Sequence, residues 1–224
     1  MRFRDRKDAG TRLAARLEPY RDEDPVVVGL TRGGVPVAAA VASALGAPLD
    51  VLVVRKLGAP IQPELGLGAI AEGGGRFVDA GLAAQTGTTR AELQEVEARE
   101  RAVMDERIAR FRAVRPKVPL AGRTVIVVDD GIATGGTVRA ALDALRREQP
   151  GKLVLATPVA ATQSLRAMAP LADEIVCLDA RDDLFAIGVW YVDFTQTPDE
   201  EVIALLRDSL SEKPAEAPRP RRSR

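Results

Sequence analysis

The sequence predicts an α/β fold built around a mostly parallel sheet. Short valine-rich runs recur along the chain, and continuous apolar runs of this length are typical of strands buried on both faces. Segments with helical periodicity separate these runs, and such alternation is the pattern of parallel sheets. The predicted strands are Val26–Leu30, Val51–Val54, Val125–Val128, Lys152–Val159 and Glu174–Leu178.

Helical patterns lie between and after these strands. Val35–Leu45 is rich in alanine, whereas Val138–Arg147 and Gln163–Leu171 each place apolar residues on one face. A final helix is marked by Thr197–Glu200, which offers a capping threonine, a proline at the first helical position and a glutamate three residues after the cap. We expect this helix to run to about Leu210. Sheets of this kind bind ligands where the carboxyl ends of strands lead into helices.

Two segments interrupt the alternation. Leu57–Arg76 contains six glycines and two prolines, which predicts a loop rather than a packed element. Thr89–Arg112 predicts a long charged helix within a helical insertion at about 80–115. We interpret it as a solvated helix that covers the domain, with a dimer contact as the alternative. Residues 1–210 would then form one domain, followed by a disordered basic, proline-rich tail at 211–224.

Composition excludes several classes of protein. The 224 residues include 32 acidic and 32 basic side chains, so the chain lacks the basic excess of nucleic-acid-binding proteins. Cys177 is the only cysteine and histidine is absent, which excludes disulfide frameworks, thiolate metal cages and His-dependent nucleophiles. No apolar run is long enough to span a membrane, and the first ten residues lack a signal-peptide core. We therefore expect a cytoplasmic protein that contacts neither membrane nor nucleic acid.

The segment Val125–Thr137, VIVVDDGIATGGT, is the candidate binding motif. A strand ends in Asp129 and Asp130, and the loop Ala133–Thr137 opens a helix. Backbone amides at a helix N-terminus bind phosphate, and glycines allow close approach. Ionised carboxylates only accept hydrogen bonds, so they suit ribose hydroxyls or the water shell of Mg²⁺. The motif therefore describes a site for a phosphorylated sugar.

Three other interpretations fit less well. A P-loop requires lysine at the position held by Thr137. A dinucleotide fingerprint fails because no G-x-G-x-x-G follows a strand. A purely structural strand–turn–helix would leave two adjacent aspartates at the end of a buried strand unexplained.

The motif resembles the 5-phosphoribosyl-1-diphosphate (PRPP) binding motif of the type I phosphoribosyltransferases. The resemblance implies a Rossmann-like fold with a mobile lid and a small C-terminal hood. It also implies that Asp129 and Asp130 hold the ribose hydroxyls and that the following loop holds the 5-phosphate. The loop residues so assigned are Ala133, Thr134, Gly135, Gly136 and Thr137.

Two further segments are similar to parts of that family. Thr31, Arg32, Gly33 and Gly34 resemble its diphosphate loop, and Arg55 with Lys56 resembles a cation pair at the root of the lid at about 57–76. The stretch from Arg55 to Gly75 and the stretch 185–202 resemble, more narrowly, a bacterial branch of the family. That similarity covers essentially residues 1–210.

The resemblance implies a Mg²⁺-dependent transfer of phosphoribose from PRPP to a small-molecule acceptor, with release of pyrophosphate. Arg32, Lys56 and Asp130 are the predicted catalytic residues, and Asp129 and Asp130 the predicted metal residues, through water or ribose hydroxyls. Replacing Asp130 by asparagine is expected to weaken ribose anchoring strongly and to leave the fold intact. We also expect a homo-oligomer, with a dimer as its simplest form.

The acceptor stays open at this point. Family members that act on 6-oxopurines carry an acidic residue where this chain has Ala133, so hypoxanthine and guanine are expected to be poor acceptors. Four aromatic residues near the end either stack on an acceptor base or pack the last strand against the core. Glu64 and Glu72 in the lid are candidates for handling a proton. A PRPP-sensing regulator without turnover and an enzyme that cleaves a nucleotide are the alternative functions. The aromatic residues are Phe185, Trp190, Tyr191 and Phe194.

Overall fold

The computed structural model describes residues 2–211. Within them, the strands in chain order are β1 (Pro25–Leu30), β2 (Leu49–Leu52), β3 (Val54–Gly58), β4 (Gly66–Ala71), β5 (Arg76–Val78), β6 (Thr124–Val128), β7 (Lys152–Ala161) and β8 (Glu174–Arg181). The helices are α1 (Arg6–Leu17), α2 (Gly34–Leu45), α3 (Ala80–Gln85), α4 (Arg90–Val114), α5 (Gly136–Arg147), α6 (Thr162–Met168) and α7 (Asp199–Ser211).

Five strands form the central sheet in the order β2-β1-β6-β7-β8, and every neighbouring pair is parallel. Strands β1 and β6 are buried along their whole length because helices cover both faces. One apolar core joins a face of the sheet to α1, α2, α4 and α7, and the second core joins the other face to α5 and α6. The predicted α/β class with a mostly parallel sheet is confirmed.

A second sheet occupies much of the segment that sequence patterns assign to a loop. Strands β3, β4 and β5 form an antiparallel sheet whose strands β4 and β5 contact α5. The loop prediction for Leu57–Arg76 is therefore wrong, because glycine here permits close strand packing as well as turns. A Cβ atom added at Gly68 would overlap the carbonyl of Phe77 on the neighbouring strand. Only the connection 59–65 at the tip and the turn 72–75 lie outside the strands.

The strand predicted at Val51–Val54 is two strands, since the chain leaves the central sheet at Val53 and enters the small sheet. The long charged helix is α4, which begins after a capping box formed by Thr89 and Glu92. Helix α4 packs on β3 and α7. It thus lies beside the small sheet and also reaches the edge strand β2, where Arg112 pairs with Asp50.

The N-terminal segment closes the fold near the C-terminal end. Helix α1 is capped by Asp5, whose side chain accepts from the Asp8 amide, and it packs mainly on α2. Phe3 pairs with Tyr191 through an isolated parallel bridge and is fully buried beside it. Residues 187–195 therefore form a small hood over the carboxyl ends of the strands. The predicted tail lies outside the described residues from position 212 onward.

Candidate active site

The loop between β6 and α5 is fixed by contacts on both sides. Gly135 caps α5 with φ +76°, a conformation that glycine adopts without strain. The Ile132 amide donates to the Val159 carbonyl at 3.0 Å, and the Ala161 amide donates to the Ile132 carbonyl at 2.8 Å. The loop therefore presents the N-terminus of a twelve-residue helix from a rigid base.

A cavity of about 360 Å³ opens over this loop. Its floor is the loop and the first turn of α5, and Asp129 stands at the strand end beside them. The small sheet forms the opposite wall, from which Lys56 reaches the cavity. The other lining residues come from that sheet, from α3 and from the hood: Gly66, Gly68, Phe77, Asp79, Leu82 and Ile187.

The two adjacent aspartates have different surroundings. Asp129 lines the cavity, whereas the Asp130 carboxylate accepts from Nε of Arg6 at 2.8 Å. Burial raises the pKa of Asp129 well above the ordinary value, and the neighbouring charge of Asp130 raises it further. Burial also raises the pKa of Asp130, although the Arg6 guanidinium opposes that shift. Asp129 is therefore the member of the pair that lines the cavity, and its Oδ1 also accepts from the Asp130 amide at 3.0 Å.

The arginine that binds Asp130 is itself held by two contacts with the hood, and a third hood residue binds Asp130 directly. Arg6 donates to the Thr195 carbonyl at 2.7 Å, and its guanidinium lies 4.1 Å from the ring centroid of Phe194. The Tyr191 hydroxyl donates to the Asp130 carbonyl at 2.6 Å, and burial raises the pKa of that tyrosine. Helix α1 thus binds the carboxylate of Asp130 through Arg6, and the hood binds the backbone carbonyl of Asp130 through Tyr191.

The loop Thr31–Gly34 lies directly beside this acid pair. A Cβ atom added at Gly33 would overlap the Asp130 carboxylate, and one at Gly34 would lie 3.0 Å from Cα of Asp129. The peptide bond between Thr31 and Arg32 is cis. Glycine is therefore required here because the two loops touch.

The side chain of Arg32 faces helix α7. Its Nη1 atom lies 3.4 Å from Oδ1 of Asp199, and the side chain is absent from the lining of the main cavity. The hydroxyl of Thr31 accepts from the Val54 amide at 3.1 Å, which ties this loop to the start of the small sheet.

A second cavity, of about 480 Å³, lies between the β3–β4 connection and helix α4. Lys56 lines both cavities and donates through Nζ to the Glu64 carbonyl. Arg55 lines the second cavity only and pairs with Glu100 of α4, Nε to Oε2 at 2.7 Å. Lys56 therefore lies between the main cavity and the second cavity under the tip of the small sheet.

The structure brings most of the predicted site residues together. Lys56, Asp129 and Ala133–Thr137 share the main cavity, Thr31–Gly34 and Asp130 adjoin it, and Arg55 lies in the second cavity. Glu72 is not part of this arrangement, because it is buried against Arg112 of α4 at 2.8 Å. Glu64 lines the second cavity.

Sequence patterns missed three residues that contact the predicted ones: Arg6, Glu100 and Asp199. Tyr191 was a candidate aromatic residue, but its hydrogen bond to the Asp130 carbonyl was not predicted. For three of the four aromatic residues the packing expectation is correct, since Tyr191 is buried in an apolar cluster against which Trp190, Phe194 and Leu178 of β8 pack. Tyr191 and Phe194 stack on each other at 4.9 Å, whereas Phe185 is 94% exposed. The signal for Asp199 is its place in the first turn of a helix, which by itself suggests only a favourable interaction with the helix dipole.

Among residues 2–211, no group of three or more acidic or cysteine side chains is arranged to hold a metal ion by itself. No helix in that range is both long and apolar enough to cross a bilayer.

Comparison with known proteins identifies the class to which this fold and site belong. The family model for the phosphoribosyl transferase domain matches residues 4–193. The chain therefore belongs to the phosphoribosyl transferase domain family, a group of glycosyltransferases of the pentosyltransferase type, as the sequence motifs indicated.

Individual relatives agree with this assignment. A Mycobacterium tuberculosis protein named "Putative phosphoribosyl transferase Rv0571c" is 48% identical over 204 residues, which are 91% of this chain and 46% of that protein. The chain thus spans about half the length of the curated relatives it matches. The crystal structure of TT1426 from Thermus thermophilus has 45% identity and a TM-score of 0.76, and the match covers 93% of this chain and 99% of that one.

Proposed function

We propose that this chain is a Mg²⁺-dependent phosphoribosyltransferase that moves the 5-phosphoribosyl group of PRPP to a nitrogenous acceptor. The observation that carries the proposal is the single cavity shared by Asp129, Lys56 and the loop Ala133–Thr137. The loop offers amide donors for a phosphate, Asp129 offers acceptors for hydroxyls, and Lys56 offers a cation for a second anionic group. A 5-phosphorylated ribose with a diphosphate at C1 is complementary to all three.

In the proposed reaction the bond from C1 to the diphosphate oxygen breaks, a bond from C1 to the acceptor nitrogen forms, and that nitrogen loses its proton. Positive charge develops on the ribose ring and negative charge on the departing diphosphate, as in other glycosyl transfers. Lys56, Arg55 and the amides of Arg32–Gly34 would stabilise the negative charge. The tip of the small sheet would restrict access of water to the sugar cation.

The residues present fit a magnesium ion that is shared with the substrate. Mg²⁺ is usually held by one or two carboxylates together with substrate phosphates and water. Asp129 supplies such a carboxylate inside the cavity, and Asp130 supplies one beside it. When bound, the ion would neutralise charge on the diphosphate, while the protein side chains orient the ribose.

Residues on the acceptor side of the cavity limit which acceptors the site could bind. Ala133 offers no carboxylate to hold a proton on an acceptor, which supports the prediction that hypoxanthine and guanine are poor acceptors. Gly131 lies against Ile187 of the hood so closely that a Cβ atom would overlap that side chain. A smaller nucleobase or an amine is therefore the first class of acceptor to test. A homodimer and a cytoplasmic location remain predictions.

The test combines the protein with PRPP, Mg²⁺ and a pooled set of nucleobases and small amines. Pyrophosphate release and new products are followed by mass spectrometry, with Asp129→Asn as the inactive control. Release that depends on an acceptor supports the transferase. Turnover of hypoxanthine or guanine would contradict the predicted acceptor range, and absence of PRPP binding would refute the proposed function.

A PRPP-binding regulator without turnover is the second candidate. One observation favours it: Arg32, Arg55 and Asp130 each already form an ion pair within the protein. The charges of these three residues are therefore already neutralised by partners within the protein before a ligand binds. Saturable PRPP binding without pyrophosphate release, with every acceptor in the pool, would select this candidate.

A further inference from the structure

Helix α4 lies outside the parallel sheet, yet its side chains reach both segments that the proposed function assigns to the diphosphate. One route runs through Asp199 to the loop that contains Arg32. The other runs through Glu100 to Arg55. The two routes are separate, since they leave α4 about two helical turns apart.

The first route is centred on Asp199 at the start of α7, a side chain that is about nine-tenths buried. Its Oδ2 accepts from Nε of Arg107 and from Nη1 of Arg110, each at 3.1 Å, and both arginines belong to α4. Its Oδ1 faces Arg32 at 3.4 Å. One buried carboxylate therefore connects three guanidinium groups.

This arrangement fixes a loop that has little other side-chain support. Gly33 and Gly34 follow Arg32, and glycine restricts the backbone less than any other residue. Immobilising an arginine side chain costs conformational entropy, because the free side chain has many rotamers. Asp199 is held from the other side by α4, so Arg32 is anchored to a rigid partner rather than to a mobile one.

The second route holds the cation at the root of the small sheet. Arg55 directs both Nε and Nη2 toward Oε2 of Glu100, at 2.7 and 2.5 Å. About three quarters of each side chain is shielded from water, which strengthens the pair relative to a surface ion pair. Arg99, the residue before Glu100, lines the same cavity.

We propose that Asp199 and Glu100 are positioning residues of the diphosphate subsite, and that α4 is the element that supports them. Asp199 fixes the loop Thr31–Gly34 through Arg32, so that the amides of Arg32–Gly34 can bind the diphosphate. Glu100 fixes Arg55 on the opposite side of the same group. This inference rests on the proposed function, because it concerns the subsite for the leaving diphosphate.

The test compares two ligands that occupy different parts of the proposed site. Pyrophosphate with Mg²⁺ probes the diphosphate subsite, and ribose 5-phosphate probes the phosphate loop and Asp129. Both dissociation constants are measured by calorimetry for Asp199→Asn and Glu100→Gln. The matched controls are Glu200→Gln, which removes an exposed partner of Arg110, and Glu97→Gln, which removes a partner of Arg76 and Arg101.

We expect the dissociation constant of pyrophosphate to rise about tenfold in Asp199→Asn and Glu100→Gln, as for loss of a charged hydrogen bond. The constant for ribose 5-phosphate should stay within about twofold of the wild-type value, and the controls should change neither constant. Asp199→Glu, which retains the charge, should recover part of the loss.

Unchanged or tighter pyrophosphate binding in both variants would overturn the inference, as would equal weakening of both ligands. Glu100→Gln keeps the test decisive if Asp199→Asn does not fold. If the wild-type protein binds neither ligand, the proposed function fails and this inference fails with it, an outcome that differs from normal wild-type binding with insensitive variants.

Discussion

The phosphate loop and the diphosphate side of the cavity are built in different ways. The donors of the loop Ala133–Thr137 come from one contiguous strand–turn–helix segment, which β7 supports through the backbone of Ile132. On the other side, Arg32, Arg55 and Asp130 are each held by a residue that is distant in sequence: Asp199, Glu100 and Arg6. A contiguous segment therefore specifies one half of the site, and long-range ion pairs assemble the other.

The largest effect on PRPP binding is expected from substitution of Asp129, and it distinguishes this aspartate from Asp130. Asp129→Asn removes the carboxylate that faces the cavity, and loss of two charged hydrogen bonds to ribose hydroxyls costs about 3 kcal/mol. PRPP binding should therefore weaken roughly 100-fold, as measured by calorimetry. An affinity within about threefold of wild type would show that Asp129 does not contact the sugar.

Asp130→Asn should act mainly on stability, which differs from the expectation based on sequence alone. The substitution leaves the Arg6 guanidinium unpaired in a mostly buried position, so the free energy of unfolding should fall by about 2 kcal/mol. Urea denaturation measures the change. Combining it with Arg6→Met should recover part of the loss, since both charges are then absent.

If Asp130→Asn loses PRPP binding at unchanged stability, the simpler role of ribose anchor is correct and the local half of the site extends to both acids.

A matched pair of glycines tests whether the phosphate loop depends on its own backbone. Gly135 and Gly87 have φ of +76° and +67°, so alanine at either position costs about 1 kcal/mol in unfolding experiments. A Cβ atom at Gly135 would also lie 3.2 Å from Cε of Met168, whereas Gly87 has open space around it. Ribose 5-phosphate binding should weaken in Gly135→Ala only. Equal binding by both variants would argue against a phosphate at this loop.

The smallest expected effect is a pH dependence of stability. The pKa of Asp129 is raised in the folded protein, so this carboxyl group lowers the free energy of unfolding at every pH above its unfolded-state pKa. The cost decreases as the pH falls below the raised pKa, and it disappears below the unfolded-state pKa. Asp129→Asn should therefore have a higher Tm than wild type at pH 7, and the difference should shrink toward about pH 4. A difference that grows on acidification would contradict the assigned direction.

The features that could be predicted from the sequence are those of the contiguous half of the site. The motif VIVVDDGIATGGT predicted the strand, the acid pair and the helix start because each depends on neighbouring residues. Helix α1 was missed, although Asp5 caps it and apolar residues recur at positions 9, 13 and 17. Arg6 could not be chosen among many basic residues, because its partner Asp130 lies 124 positions away.

The small sheet shows a second reason for failure. Glycine-rich sequence is compatible with a loop and with tightly packed strands, and only the neighbouring backbone distinguishes them. Gly68 is a strand residue because Phe77 lies against it. The role of Asp199 was hidden in the same way, since its helix position was predicted but its three arginine partners come from other elements.

The bridge between Phe3 and Tyr191 has a consequence for biosynthesis. Most of the sheet strands and the phosphate loop can form before the residues of the hood have been translated. Phe3 must wait for its aromatic partner to leave the exit tunnel, because that partner is encoded 188 codons later. The nascent polypeptide therefore acquires its phosphate pocket before the hood that covers it.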